Sequence, residues 1–141
     1  MSESKTTGHC YCGAIQLEIS GQPLWIGHCH CESCRRHTGS MMSTFVGYRP
    51  DQVAYTSARP ASLKTDDGVT RCFCGQCGSS VSYQLDRREN EIHLYLGILD
   101  ETDNFPPEDH VHYEEKVAWL EIKDDLPRYH GITGSALEGD S

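Results

Sequence analysis

Basic residues are scarce in this chain. Twelve lysines and arginines stand against twenty-one aspartates and glutamates, which gives a formal net charge of −9. Nucleic-acid-binding domains carry a basic patch that neutralises phosphates, so this balance argues against a nucleic-acid partner. A few arginines can still form a local positive pocket on an acidic protein, so an anionic small molecule remains compatible with the charge.

Long apolar runs are also missing. No segment approaches the roughly 20 consecutive apolar residues that a membrane-spanning helix needs, so no membrane association is expected. The first seven residues are polar and lack the apolar centre of a secretory signal. The chain is therefore expected to be cytoplasmic. Its 141 residues suit one domain.

No long segment shows a helical period. Ile15, Leu17 and Ile19 alternate with polar residues, as in a half-buried strand. Turn residues separate further strand candidates at 42–48, 52–56, 69–73, 81–85, 91–96, 111–114 and 117–122. One helical turn is expected at 32–37. The prediction is an all-β fold, with a flexible N-terminus at 1–7, one domain at 8–130 and a disordered tail at 131–141.

Eight cysteines are abundant for a chain of this length. Without an export signal, a disulfide scaffold is not expected, because the cytosol keeps thiols reduced. Clustered free thiols then indicate metal binding. The cysteines fall into three groups, at 10–12, 29–34 and 72–77.

The first predicted site combines two pairs of cysteines. Cys10 and Cys12 are two residues apart, so on a strand both sulfurs would face the same way. Cys74 and Cys77 form a C-x-x-C turn eased by two glycines, Gly75 and Gly78. Four thiolates complete a tetrahedral zinc site, which would be structural because no coordination position stays open.

The second predicted site contains Cys29, Cys31 and Cys34. Three protein ligands with a fourth position left for water or substrate are typical of catalytic zinc. A second closed zinc with a fourth ligand from elsewhere is the alternative. Arg35 directly follows the cluster and could stabilise thiolate charge or bind a substrate carboxylate.

Several neighbouring residues have open assignments. Cys72 could close the second site, remain a free thiol or be an ordinary buried residue. His28 and His30 flank Cys29 and are expected to pack or hydrogen-bond away from the sulfurs. His110 or His112 could reach the open site as a ligand or a base. The two tryptophans, Trp25 and Trp119, are expected in the core.

The motifs as a group resemble the family of glutathione-dependent formaldehyde-activating enzymes, which includes centromere protein V. The matching stretches are Gly8–Gly13, Cys29–Arg35 with Thr38–Ser40, and Phe73–Ser79, with a weaker match from His110 to Pro127. The resemblance implies a zinc-bearing β-tent of folded antiparallel sheets. It also implies two zinc ions per chain, a structural one on Cys10, Cys12, Cys74 and Cys77 and a catalytic one on Cys29, Cys31 and Cys34.

The family resemblance implies a carbon–sulfur lyase that joins glutathione to formaldehyde. The expected partners are therefore a small thiol and a small aldehyde. Family membership alone does not fix the substrate. One alternative is a binding module with two closed zinc sites and no chemistry. Another is a redox or metal-handling protein that uses Cys72.

Overall fold

The computed structural model describes residues 4–131. The predicted disordered tail, except Gly131, lies outside the described residues. The described chain forms ten strands and one α-helix, so the predicted all-β class is confirmed. The strands are β1 Lys5–His9, β2 Gln16–Ser20, β3 Trp25–Cys29, β4 Ser43–Tyr48, β5 Val53–Tyr55, β6 Ala61–Asp66, β7 Val69–Phe73, β8 Ser80–Leu85, β9 Ile92–Tyr95 and β10 Asp109–Val111, and the helix is α1 Glu32–Thr38.

The chain divides into two compact units. Within the described residues, the first takes 4–25 together with Val46–Phe105, and the second takes Ile26–Phe45 together with 106–131. Within the described residues, no helix has the length and apolar character that crossing a membrane requires.

The first unit is built from antiparallel strands. β2 lies between β1 and β5, while β6, β7, β8 and β9 follow one another in a meander. The apolar alternation in β2 works as predicted, because Leu17 and Ile19 are buried while Glu18 between them is exposed. Burial of such side chains contributes roughly 1.5–3 kcal/mol each.

Two hairpin turns of the first unit carry cysteines. Between β1 and β2, the Cys10 N–H donates to the Ile15 carbonyl (3.0 Å). Between β7 and β8, the Cys74 N–H donates to the Ser79 carbonyl (2.9 Å). A glycine with positive φ completes each turn, Gly13 at 83° and Gly78 at 80°. Residues with a Cβ rarely adopt this conformation, so the turns depend on glycine.

The second unit combines a parallel strand pair with the helix. β10 pairs with β3 so that Val111 lies opposite Cys29, and β4 is the other neighbour of β3. α1 begins at Glu32 after the N-cap residue Cys31, and Gly39 ends it in the left-handed conformation. The helical turn predicted at 32–37 is therefore present.

Several sequence-based expectations were wrong. Residues 5–7, placed in a flexible terminus, belong to β1, where the β-branched Thr6 and Thr7 pair with β2. The segment 117–122 forms no strand, and Trp119 is 70% exposed instead of buried. A short apolar run does not distinguish a strand from a loop whose side chains face solvent.

Candidate metal centres

The first cluster brings four sulfurs together at the two hairpin turns. The Sγ atoms of Cys10, Cys12, Cys74 and Cys77 all lie within 4.8 Å of one another. The Sγ of Cys12 is 3.7 Å from those of Cys10 and Cys74. Zinc–sulfur bonds of about 2.3 Å in a tetrahedron place the sulfurs about 3.8 Å apart, so these residues fit zinc.

The site is formed differently from the expectation. Cys10 and Cys12 lie in a turn and not in a strand, so strand alternation does not align them. The turn closed by Gly13 does so instead. The Tyr11 N–H donates to Ser79 Oγ (2.9 Å), which ties the first turn to the second.

Hydrogen-bond donors surround the sulfurs of this cluster. The Ile15 N–H donates to Cys10 Sγ (3.3 Å), and Gln76 and Cys77 donate theirs to Cys74 Sγ (3.3 and 3.4 Å). The Ser79 hydroxyl lies 3.1 Å from Cys77 Sγ, and hydrogen bonding to Ser79 lowers the pKa of Cys77 to about 5. Such bonds favour the thiolate, which is the metal-binding form.

The second cluster contains three sulfurs. Cys29 ends β3, Cys31 is the N-cap of α1 and Cys34 lies in the first turn of the helix. Their Sγ atoms lie within 4.8 Å of one another, with 4.0 Å between Cys29 and Cys34. Among the residues 4–131, no fourth cysteine, histidine or carboxylate joins the group.

This second arrangement suits a metal with an open position. The Cys34 N–H donates to Cys31 Sγ (3.3 Å). This hydrogen bond caps the N-terminus of α1 and also reaches a sulfur that could bind a metal. The neighbouring thiols of Cys31 and Cys34, together with burial, raise the pKa of Cys29 well above its usual value. Three crowded sulfurs resist ionising together, and a divalent cation would offset that repulsion. The residues therefore fit zinc.

Arg35 contacts the backbone around this cluster. Its Nη1 donates to the His30 carbonyl (3.1 Å) and to the Glu115 carbonyl (2.7 Å). The Glu115 carboxylate in turn accepts the Glu32 N–H (2.8 Å) at the start of α1. These contacts hold the cysteine turn against the segment that follows β10.

Histidines form a buried chain beside the second cluster. The Nε2 of His30 lies 2.9 Å from the Nδ1 of His110, and the Nε2 of His110 lies 3.0 Å from Asp124 Oδ2. Burial lowers the pKa of His30 to about 4. Although burial raises the pKa of Asp124, hydrogen bonds from His110, Leu126 and Arg128 lower it to about 2.

His28, His110 and Cys72 all lie outside the two cysteine clusters. The Nδ1 of His28 lies 2.9 Å from Thr44 Oγ1, so His28 hydrogen-bonds away from the sulfurs as expected. His110 is no member of the cysteine group and binds His30 and Asp124 instead. Cys72 belongs to neither cluster and packs against a small buried core of the first unit, formed by Cys10, Ile15, Cys74 and Val81.

Sequence reasoning missed Asp124, Arg128 and Glu115. Asp124 follows His110 by fourteen residues. The segment between β10 and Asp124 forms no strand or α-helix whose repeat would bring the two side chains together. The short acidic run at 114–115 gave no sign that one of its carboxylates contacts the helix start. These contacts depend on loop conformation, which residue spacing does not predict.

The comparisons with known proteins agree with the cysteine motifs. The family model "Glutathione-dependent formaldehyde-activating enzyme" matches residues 5–115. The chain therefore belongs to this family.

Two relatives extend this result. An uncharacterized lyase of Schizosaccharomyces pombe is 23% identical over 97 residues, which cover 69% of this chain and 70% of the relative. A crystal structure of a Rhodobacter sphaeroides protein matches with a TM-score of 0.57 and 21% identity, over 72% of this chain and 96% of that one. The structural match shows the fold. The family and the yeast relative support a lyase-type, glutathione-related function.

Proposed function

We propose that the chain is a zinc-dependent carbon–sulfur lyase that adds a glutathione-like thiol to a small aldehyde such as formaldehyde. The observation that carries the proposal is the group of three sulfurs, from Cys29, Cys31 and Cys34, which leaves one position of a tetrahedral metal available. The other cluster has four sulfurs and no such position. We therefore assign two zinc ions per chain, one structural and one catalytic.

The reaction balances without an oxidant or a reductant. The thiol sulfur forms a bond to the carbonyl carbon, and the electron pair of the carbonyl π bond moves to oxygen. That oxygen takes a proton, and the product is a hemithioacetal. Zinc at the three cysteines would supply a deprotonated thiol at neutral pH, and the thiolate is the reactive nucleophile.

The developing negative charge on oxygen needs a donor. Arg35 is the proposed one, because it directly follows Cys34 in α1 and its two recorded hydrogen bonds, to the carbonyls of His30 and Glu115, both come from Nη1. A guanidinium stays charged at any working pH and presents several N–H donors in a fixed geometry. This assignment makes Arg35 a catalytic residue together with the three cysteines.

The proposal also states partners and location. A small thiol and a small aldehyde would be the substrates, with no nucleic acid. The eight cysteines are free, which agrees with a reducing compartment such as the cytoplasm. The domain predicted at 8–130, extended to residue 5 by β1, would hold the whole reaction.

The direct test follows the approach to equilibrium between glutathione and ¹³C-formaldehyde by exchange NMR, since the uncatalysed reaction reaches the same equilibrium. Cys31→Ser is the informative variant. Serine is a preferred N-cap residue, so the substitution retains the cap of α1 while removing one thiolate. We expect the catalysed exchange to fall to the uncatalysed rate.

Arg36→Gln is the matched control on the same helix, since Arg36 is exposed and pairs with Glu32. It should retain the wild-type exchange rate. A Cys31→Ser protein that keeps full thiol-dependent activity would contradict the scheme. Wild-type protein with two zinc ions and no acceleration for any small thiol would instead favour the non-catalytic binding module.

A further inference from the structure

The first unit contains a cavity that the proposed chemistry does not use. Its volume is about 550 Å³, within the range of roughly 300–1,000 Å³ typical of small-molecule sites. Its walls come from β5, from the loop that follows it and from the inner part of the meander. The residues that matter for the argument are Val53, Tyr55, Arg59, Cys72, Gln84 and Ile92.

The cavity wall carries one positive charge. The Arg59 guanidinium carbon lies 5.6 Å from the centre of the Tyr55 ring. In the part of the chain that the structure describes, no carboxylate forms an ion pair with Arg59. Arg59 thus lines the cavity as a solvent-exposed cation without a protein counter-charge, on a chain whose net charge is −9. A guanidinium is well shaped to bind a carboxylate through two hydrogen bonds.

The rest of the cavity wall combines apolar and polar side chains. Val53 and Ile92 supply apolar surface, and the Gln84 side chain adds an amide that can donate and accept. The Cys72 thiol also lines the cavity and is only half-buried, so it can react with a small reagent that enters. An apolar body with one anionic end complements this wall.

We propose that this cavity is a binding site for a small carboxylate with an apolar body, with the carboxylate on Arg59 and the body against Val53 and Ile92. No cysteine of either cluster lines this cavity. This binding site is an addition to the proposed lyase reaction, whose substrates would bind at Cys29, Cys31 and Cys34.

The test uses Cys72 as a reporter in the metal-loaded protein. Iodoacetate and iodoacetamide alkylate the same sulfur with loss of iodide, but only iodoacetate carries a negative charge. The ratio of the two rates at Cys72 therefore cancels the intrinsic reactivity of the thiol and measures the attraction of a carboxylate. Cleavage after Arg71 gives a peptide that begins at Cys72, and its fragment ions distinguish alkylation of Cys72 from that of Cys74 and Cys77. The Cys72→Ser variant should lack the Cys72 product.

We expect Arg59→Gln to lower the iodoacetate-to-iodoacetamide ratio roughly three- to tenfold. Arg59→Lys should retain most of the ratio, and an unchanged iodoacetamide rate would show that the cavity is intact. Arg87→Gln is the matched control, because Arg87 is exposed in the same unit and does not line the cavity. An equal ratio in wild type and Arg59→Gln, or an equal loss in Arg87→Gln, would overturn the proposal.

A competition experiment gives an independent outcome. 3-Phenylpropanoate should slow the reaction of Cys72 with iodoacetamide, whereas 3-phenylpropanamide, which has the same shape and no charge, should protect less. Arg59→Gln should remove this difference between acid and amide. Equal protection by the two compounds, or none by either, would show that the cavity does not recognise a carboxylate.

Discussion

His30 and His110 are joined by a hydrogen bond of 2.9 Å between the Nε2 of the first and the Nδ1 of the second, and both rings are fully buried. The other nitrogen of His110 lies 3.0 Å from the Asp124 carboxylate. A carboxylate only accepts, so the proton of a neutral His110 is at Nε2 and its Nδ1 is the acceptor. His30 must then donate from Nε2, which leaves its Nδ1 without a proton.

Replacing Asp124 by asparagine tests this order of hydrogen bonds. An amide can donate to His110 Nε2, which would reverse both tautomers and place a proton on the Nδ1 of each ring. Long-range ¹H–¹⁵N spectra distinguish protonated from bare ring nitrogens. We expect bare Nδ1 atoms in wild type, and a loss of stability of about 1–3 kcal/mol in Asp124→Asn because the Arg128 contact is weakened as well.

Asp125→Asn is the matched control. It makes the same change at the next residue, which is exposed, and should leave both tautomers and the stability unchanged. A protonated Nδ1 on either ring of the wild-type protein would show that Asp124 does not set the order.

Arg35 should be needed to keep metal at the second cluster, apart from any role in catalysis. Arg35→Gln would leave the carbonyls of His30 and Glu115 without their donor. An unpartnered buried group costs about 1–3 kcal/mol, and here it would loosen the turn that carries Cys29 and Cys31. Zinc release to a chelator, followed by a metal-sensitive dye, should be faster in Arg35→Gln.

Arg36→Gln again provides the comparison, since exposed ion pairs contribute little. The rate of zinc release from Arg36→Gln should match that from wild type. If both variants release metal at the wild-type rate, the contacts of Arg35 do not stabilise the cluster.

Gly47 is expected to tolerate no side chain. A Cβ there would overlap the Trp25 indole, with Cζ2 only 2.8 Å away. The ring is held by a hydrogen bond from its Nε1 to Glu91 Oε1 (3.3 Å) and by an edge contact with His93. Gly47→Ala should therefore destabilise the protein by about 1–3 kcal/mol, as overpacking does.

Gly97→Ala separates this clash from the general effect of replacing glycine, because a Cβ at Gly97 meets nothing within 4 Å. Urea unfolding followed by tryptophan fluorescence should show a lower midpoint for Gly47→Ala alone. Equal midpoints for both variants would mean that the indole moves aside at little cost.

Loss of one cysteine from the first cluster should remove one zinc and much of the stability. Cys74→Ser removes a fully buried proposed ligand, whose sulfur accepts two N–H donors from its own turn. Because the binding free energy of a structural metal contributes to folding, we expect one zinc per chain in place of two and a large fall in the melting temperature. Elemental analysis and calorimetry measure both.

Cys72→Ser makes the same change two residues earlier and outside the cluster. Two zinc ions per chain in that variant would agree with its exclusion from both sites. A fall to one zinc would mean that Cys72 is a ligand after all.

Cysteine spacing predicted both clusters because Cys10 with Cys12, Cys74 with Cys77, and Cys29 with Cys31 and Cys34 are each close in sequence. Cys10 and Cys12 show the limit of the reasoning, since they meet through a glycine turn and not through strand alternation. The strands with clear alternation, such as β2, were predictable. β3 was not, because Gly27 and His28 interrupt its apolar pattern and its partner β10 lies far along the chain. The contacts of Asp124 depend on loop conformation and had no signal.

Asp109 should lower the free energy of unfolding as the pH rises. Its carboxylate is buried, and Oδ1 has no hydrogen-bond partner among the described residues. Burial, with a contribution from Glu108, raises the pKa of Asp109 from 3.8 to about 6. The folded protein therefore holds this proton more tightly than the unfolded chain, so the stabilising contribution is complete below pH 4 and disappears as the pH rises through 6.

Asp109→Asn removes the buried charge and should gain stability relative to wild type as the pH rises. The difference in unfolding free energy should be small at pH 4 and grow by about 2 kcal/mol by pH 7.5. Because both proteins carry the same cysteines, the pH dependence of metal binding cancels in the difference. Asp103→Asn, at an exposed position, should show no such trend. A constant difference across this range would mean that Asp109 gains a donor in solution and is ionised at its ordinary pKa.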